Sequence, residues 1–397
     1  MGSRVIIGGA LERAAAARID ALTRELSMRE PQNGTLQSGS AGHALLFAYA
    51  HRRFPDRGWD TVAQRRLDHA LATLADAPPA DPWLVSGLSG IAWVAAHLGR
   101  ERLVEAPDLA AVDETLLGLV QSNWPAHYDL LGGLGGIALY ACESPHPLAS
   151  SLLEAIVRRL DAAAEHSSRG ATWRTEPARL RLSRFREVAD GILDLGVAHG
   201  AAGLLTALAT AALRGTDGAR RLLDEVTRWL IDQRLPPGSA ALFPWHADGV
   251  EPARAGWCYG DPGIAAALAA AGDAVGDASW LAVACDAVRA TASATSSGLS
   301  VRAAGLCHGV AGLAHLFGRL YRTTGNAEAA SMARLWLERA VAAQIGPEIP
   351  SDLFNGAVGV ALALLGAIDE RDPSWDRVLA VSVGGAEQFD VAETGRA

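Results

Sequence analysis

The stretches "WCYGDPGIAAALAAAG" (257–272) and "LCHGVAGLAHLFGRL" (306–320) each set a cysteine two residues before a G-x-x-G step that opens an apolar run. The step recurs along the chain. It stands at Gly39 and Gly42 in "QSGSAGHALLFAYA", at Gly87 and Gly90, at Gly133 and Gly136, and at Gly200 and Gly203 in "AHGAAGLLTALA". Gly260 with Gly263, Gly309 with Gly312 and Gly356 with Gly359 complete seven copies. From one first glycine to the next the intervals are 48, 46, 67, 60, 49 and 47 residues. A period of about 47 is that of a two-helix repeat.

Between the steps lie amphipathic stretches such as "GARRLLDEVTRWLIDQ" (218–233) and "SMARLWLERAVAAQ" (331–344), with apolar residues at three and four spacing. These read as outer helices, and the glycine-started runs, apolar nearly all round, as an inner layer. The fold is therefore expected to be all-α, built of seven helical hairpins in a single domain over 1–397. Glycine is expected to supply a positive φ and a close backbone approach before each inner helix. Neither end of the array shows the polar face that caps a solenoid, which favours closure into a ring with every inner-helix N-terminus at one mouth. The two long intervals hold insertions, 165–192 and 235–256, expected to face substrate because insertions in a repeat array gather on its binding face.

Composition narrows the function. All 35 basic residues are arginine, against 44 acidic ones, for a formal charge of −9. With no basic tract, nucleic acid is excluded as a partner. Without lysine, Schiff-base and Walker-type chemistry are excluded as well. The apolar patch at the start is too short for a signal segment, and "AVGVALALLGAI" (357–368) is too short to span a bilayer. A cytoplasmic protein, not integral to a membrane, is expected. Four cysteines in such a chain are poor disulfide candidates.

Cys258 and Cys307 share the position two before the first glycine, in adjacent repeats, and His308 follows Cys307. Two thiols and one imidazole suit zinc and leave its fourth position open, as a catalytic site requires. Two buried cysteines and a core histidine remain the alternative. His199 occupies the position before the first glycine of its step, as His308 does, without a cysteine beside it, and reads either as a base or acid or as a core histidine. Asp129 orients it, shares the proton work, or serves as an N-terminal or loop cap. Arg254 and Tyr259 flank Cys258 and are read either as stabilisers of an enolate or substrate carbonyl or as packing residues. Asp261-Pro262-Gly263 reads as turn chemistry. His43, His97 and His315, inside helical runs, are assigned to the core, as are Cys142 and Cys285.

"YDLLGGLGG", "AHGAAG", "WCYGDPG", "LCHGVAG" and "LFNGAVG", in that order, resemble the motifs of the lanthionine synthetase C-like family, the lanthipeptide cyclases. The resemblance runs from about Gly39 to Gly366. It implies an α/α toroid of seven inner and seven outer helices, one zinc held by Cys258, Cys307 and His308, and His199, Asp129, Arg254 and Tyr259 at the reaction centre. The implied reaction is a Michael-type addition of peptide cysteine thiols to dehydroalanine or dehydrobutyrine, forming (methyl)lanthionine rings. The implied partners are a dehydrated precursor peptide and a separate dehydratase. A glutathione-handling relative, a prenyltransferase-like zinc barrel and a non-catalytic helical scaffold stay open as alternatives.

Overall fold

Each glycine step opens an inner helix, and the reason lies in the loop before it. A computed structural model of the chain describes residues 8–76, 81–122, 124–180, 188–344 and 349–384. The inner helices are α2 (Ser40–Arg53), α4 (Leu88–Arg100), α6 (Leu134–Glu143), α8 (Leu205–Leu213), α10 (Asp261–Val275), α12 (Val310–Thr324) and α14 (Ala357–Ile368). The outer helices are α1 (Ala10–Ser27), α3 (Trp59–Asp76), α5 (Ala110–Gln121), α7 (Leu148–Ala163), α9 (Ala219–Asp232), α11 (Ala278–Ser296) and α13 (Ala327–Ala342). Every described residue of α14 is buried, as expected of an inner helix.

The preceding loop folds back so that its carbonyls meet the otherwise orphaned N–H groups of the first turn. Ser40 donates to Asn33, Leu88 to Asp81, Leu134 to His127, Ala201 to Asp194, Val310 to Ala303 and Ala357 to Pro350, each seven residues back. The second glycine of the step exists to let that loop in. A Cβ on Gly263 would stand 2.2 Å from the Trp257 oxygen, and one on Gly312 would stand 1.9 Å from the Leu306 oxygen. The first glycine departs from expectation, because only Gly260 takes a positive φ, at 96°. The other six are extended, and there glycine serves close approach alone; a Cβ on Gly309, for example, would meet the Gly305 backbone at 2.5 Å.

The array closes. Each inner helix packs on the next, and α14 returns to α2. The closing hairpin is made from the two ends of the chain, with α1 as the outer partner of α14. The end of the bore away from the mouth takes the buried residues 373–382, which include a short 3₁₀ helix, Ser374–Leu379. Asp376, fully buried, accepts from Arg319 Nε and His315 Nε2, both at 2.8 Å. Arg377 reaches Glu143 at 2.8 Å and Glu101 at 2.9 Å. Trp257 Nε1–H donates to the Leu379 carbonyl at 2.8 Å, so the segment reaches the layer beneath the mouth.

His97, paired with Glu143 and Tyr49, and His315 are core histidines. Burial pushes His43 down to about 4 and keeps it neutral. Cys142 is buried in α6, whereas Cys285 on α11 is only half-buried. No helix among the described residues is long and apolar enough to cross a membrane.

The insertions add the little sheet there is. In the first, whose residues 181–187 lie outside the described residues, β1 (Glu165–Ser167) pairs with β2 (Gly170–Thr172) and β3 (Arg174–Thr175) with β4 (Ile192–Leu193). The β1–β2 hairpin sits on α9, and a Cβ on Gly170 would meet the Glu225 oxygen at 2.1 Å. Trp173 is buried and donates to the Leu160 carbonyl at 2.9 Å. This half of the insertion is thus part of the packed wall. The second insertion is knit to the first through a bridge between Asp194 and His246 and through Ala247 N–H donating to the Leu193 carbonyl at 3.0 Å. Asp261, read from sequence as a turn residue, is buried at the start of α10 and accepts the N–H groups of Leu242 and Phe243 at 2.7 and 2.9 Å.

Candidate active site

The shared position of the cysteines has a backbone cause. Two or three residues before the first glycine of five of the seven steps, the chain hydrogen-bonds to the same level of the next repeat. Ala198 N–H donates to Cys258 O at 3.3 Å, Trp257 N–H to Cys307 O at 2.8 Å, and Cys307 N–H to Phe354 O at 2.8 Å. The run continues across the chain ends, from Leu353 N–H to Gln37 O at 2.8 Å and from Gln37 N–H to Val85 O at 3.0 Å. Residues in one register of adjacent repeats are therefore held side by side at the mouth.

At the junction of the fifth and sixth repeats this brings together Cys258, Cys307 and His308. Their ligand atoms all lie within 4.8 Å of one another, the one such group among the described residues. Gly256 permits the approach, since a Cβ there would stand 3.0 Å from Cys307 O. Hydrogen bonding from the Cys307 thiol draws the Cys258 thiol well below its ordinary range; burial opposes this, and His308 and Arg254 assist. The same contact, with burial, pushes Cys307 up. His308 Nδ1 is buried without a hydrogen-bond partner. Two soft donors, one borderline donor and an orphaned imidazole nitrogen fit zinc.

Arg254 and Tyr259 lie on either side of Cys258. Arg254 Nη2 donates to Cys258 Sγ at 3.3 Å, and its guanidinium lies 5.5 Å over the Trp245 ring. Tyr259 is buried, and its hydroxyl donates to Asp194 Oδ2 at 2.7 Å.

His199 and Asp129, from the fourth and third mouth turns, meet at 2.7 Å between His199 Nδ1 and Asp129 Oδ2. Asp129 Oδ1 accepts the Gly132 N–H at 2.7 Å, so the carboxylate serves both as loop cap and as histidine partner. Burial acts to raise the Asp129 pKa, but the neighbouring His127 imidazole and the hydrogen bond with His199 prevail and hold it far below the usual carboxylate range. Asp129 is thus a fixed negative charge at neutral pH. His199 is half-buried at the mouth, next to Ala198, whose N–H holds Cys258 O.

Sequence reasoning missed His127 and Asp194. His127 Nδ1 lies 3.7 Å from Asp129 Oδ2. Burial raises Asp194 to about 6, against hydrogen bonds from Tyr259 and the Gly196 N–H that lower it. A signal was present: six residues before the first glycine stand Asn33, Asp81, His127, Asp194 and Arg254, polar in five of the seven repeats.

The family model described as lanthionine synthetase C-like protein matches residues 30–380. Among solved structures, one titled "Nisin cyclase" is similar with a TM-score of 0.74, covering 93% of this chain and 97% of that chain at 19% sequence identity. At that identity the likeness establishes the α/α toroid fold.

Proposed function

Because the chain belongs to the lanthionine synthetase C-like family, we propose that it is a zinc-dependent lanthipeptide cyclase. It adds cysteine thiols of a dehydrated precursor peptide to dehydroalanine or dehydrobutyrine, closing (methyl)lanthionine thioether rings. The observation that carries this reading is the juxtaposition of two cysteines and a histidine with an aspartate–histidine pair on neighbouring mouth turns.

Cys258, Cys307 and His308 would hold the ion, and zinc bound there would supply a Lewis acid that lowers the pKa of the substrate thiol. The Arg254 guanidinium, in reach of Cys258 Sγ, adds positive charge beside the sulfurs and a donor for a substrate carbonyl. Asp129 pins Nδ1 of His199 and directs proton transfer to Nε2. The chemistry balances without a redox partner. A carbon–sulfur bond forms at the β-carbon, the carbon–carbon double bond opens to an enolate, and His199 returns a proton to the α-carbon in place of the one the thiol lost. Tyr259 borders Cys258 and closes the side of the site toward Asp194.

The insertions, whose stems meet beside the fourth and fifth mouth turns, are assigned to the peptide. Dehydration is assigned to a separate dehydratase. The four cysteines are all unpaired, which supports a reducing compartment, and we place the enzyme in the cytoplasm. Metal analysis of the native protein should return about one zinc per chain, in line with a single three-donor site. Cys258→Ala and Cys307→Ala should each strip it while keeping the helical signal. A native protein that binds no zinc, or a Cys258→Ala variant that keeps it all, contradicts the site.

A further inference from the structure

We propose that Asp194 and Tyr259 form a buried positioning strut that fixes the His199 turn against the Cys258 turn, so that Tyr259 acts on the geometry of the site and does not donate a proton to the substrate. The activity readout of this inference rests on the cyclase reading; its spectroscopic readout does not.

Three observations carry it. The first is the hydrogen bonding. Asp194 is 1% exposed and Tyr259 6% exposed. The tyrosine hydroxyl donates to Oδ2 at 2.7 Å, and the Gly196 N–H donates to Oδ1 at 2.8 Å. A buried carboxylate with both oxygens engaged is a rigid anchor, and withdrawing the phenol from it strands a buried acceptor. For Tyr259 to protonate or hydrogen-bond an enolate, it would have to leave that carboxylate.

The second is the packing at Gly196, two residues after Asp194 on the turn that ends at His199 and Gly200. A Cβ on Gly196 would stand 2.4 Å from Cys258 O and 2.9 Å from the Tyr259 ring. The turn is thus pressed flat against the phenol and the cysteine backbone, with Ala198 N–H to Cys258 O, 3.3 Å, as a second tie.

The third is where Asp194 sits in the chain. It follows β4 directly, and β4 pairs with β3 on one side, while Asp194 itself bridges to His246 in the second insertion. Both insertions therefore converge on the residue that holds Tyr259. A displacement of either one by bound peptide reaches the neighbour of Cys258 through a single hydrogen bond.

The test is a double-variant cycle on the zinc-loaded protein, with Tyr259→Phe and Asp194→Ala. Partners one layer outside a metal site cost roughly 10- to 100-fold in activity when removed. Each single variant should lose roughly that much of kcat with KM and zinc content little changed. The double variant should be no worse than the poorer single one, because the two residues act as a unit. Asp194→Asn keeps the volume and guards against a folding failure of the alanine variant. It should lose activity by less than Tyr259→Phe, since an amide can still bond the phenol.

If Tyr259 is instead a proton donor to substrate, Asp194→Ala frees its hydroxyl and Asp194→Asn loosens the bond that holds it, and the rate holds or rises. That outcome overturns the strut, as do losses that multiply in the double variant. Independently of turnover, the Tyr259 hydroxyl proton should be protected from exchange and visible downfield in the proton NMR spectrum. It should vanish in both Tyr259→Phe and Asp194→Ala. Its absence in the native protein refutes the strut, whereas its presence in a wild type that closes no rings refutes the cyclase reading alone.

Discussion

Replacing His199 by alanine separates the proton chemistry from the metal. The imidazole removed stands 2.7 Å from Asp129, a carboxylate held ionised and 8% exposed, with His127 as its remaining imidazole neighbour. Loss of a charge-assisted hydrogen bond of this kind costs about 1.5–3 kcal/mol of stability. The catalytic loss should be larger. General acid catalysis is worth about 10²- to 10⁴-fold, or about 3–5 kcal/mol in the barrier to ring closure. His199 is not among the three metal-binding residues, so zinc should stay at its native level.

Asp129→Asn attacks the same unit from the other side. The side chain can still accept the Gly132 N–H, but an imidazolium at His199 loses its counter-charge. The fraction of His199 able to deliver a proton should fall, with a rate loss of similar size, and the double variant should be little worse than either single one. The assay follows disappearance of free thiol in a dehydrated peptide under saturating substrate, with zinc content and unfolding temperature measured on the same preparations. A His199→Ala enzyme at the native rate, or losses that multiply in the double variant, would refute the proton role. Loss of zinc from His199→Ala would make it a ligand instead.

Two further outcomes follow from the packing. Asp376→Ala leaves Arg319 buried with Asp372 as its remaining carboxylate, and breaking a buried pair in this way should cost about 3–5 kcal/mol in urea unfolding; an unchanged midpoint would remove the axial segment from the stability of the ring. Burial lifts the Asp261 carboxyl from 3.8 to about 6, so the stability this group contributes is present below about pH 4 and lost as pH rises through about 6. That displacement corresponds to about 3 kcal/mol. The Asp261→Asn variant should therefore gain about that much relative to wild type between pH 4 and pH 7, and a constant difference across the window would contradict it.

What could be read from the sequence was what the repeat imposes. A step that admits a carbonyl where a Cβ would sit must be glycine, so seven glycine pairs exposed seven inner helices, and the shared register of Cys258 and Cys307 survived because backbone bonds hold neighbouring turns level. The pairing of α1 with α14 was not legible, since nothing local to "LERAAAARIDALTREL" (11–26) says which distant helix it covers. The axial segment escaped for a similar reason. Asp376 and Arg377 look like solvated charges until Arg319, His315 and Glu143 are seen around them. Asp194 was hidden by its surroundings, because an aspartate after "GIL" (191–193) reads as a loop residue, and only the position six before the glycine set it beside Arg254 and His127.

Ring closure leaves the mass of the peptide unchanged while removing a thiol that can be alkylated, and this gives the most direct measurement. A dehydrated peptide carrying one cysteine and one dehydroalanine is incubated with the zinc-loaded protein, with chelator-stripped protein, and with Cys258→Ala, and alkylated thiols are then counted by mass. The expected result is loss of the thiol at constant mass with the zinc-loaded protein alone, restored to the stripped protein by added zinc. Thiol loss at the same rate in all three samples, or none with the zinc-loaded protein across peptides of varied ring size, would contradict a zinc-dependent cyclase.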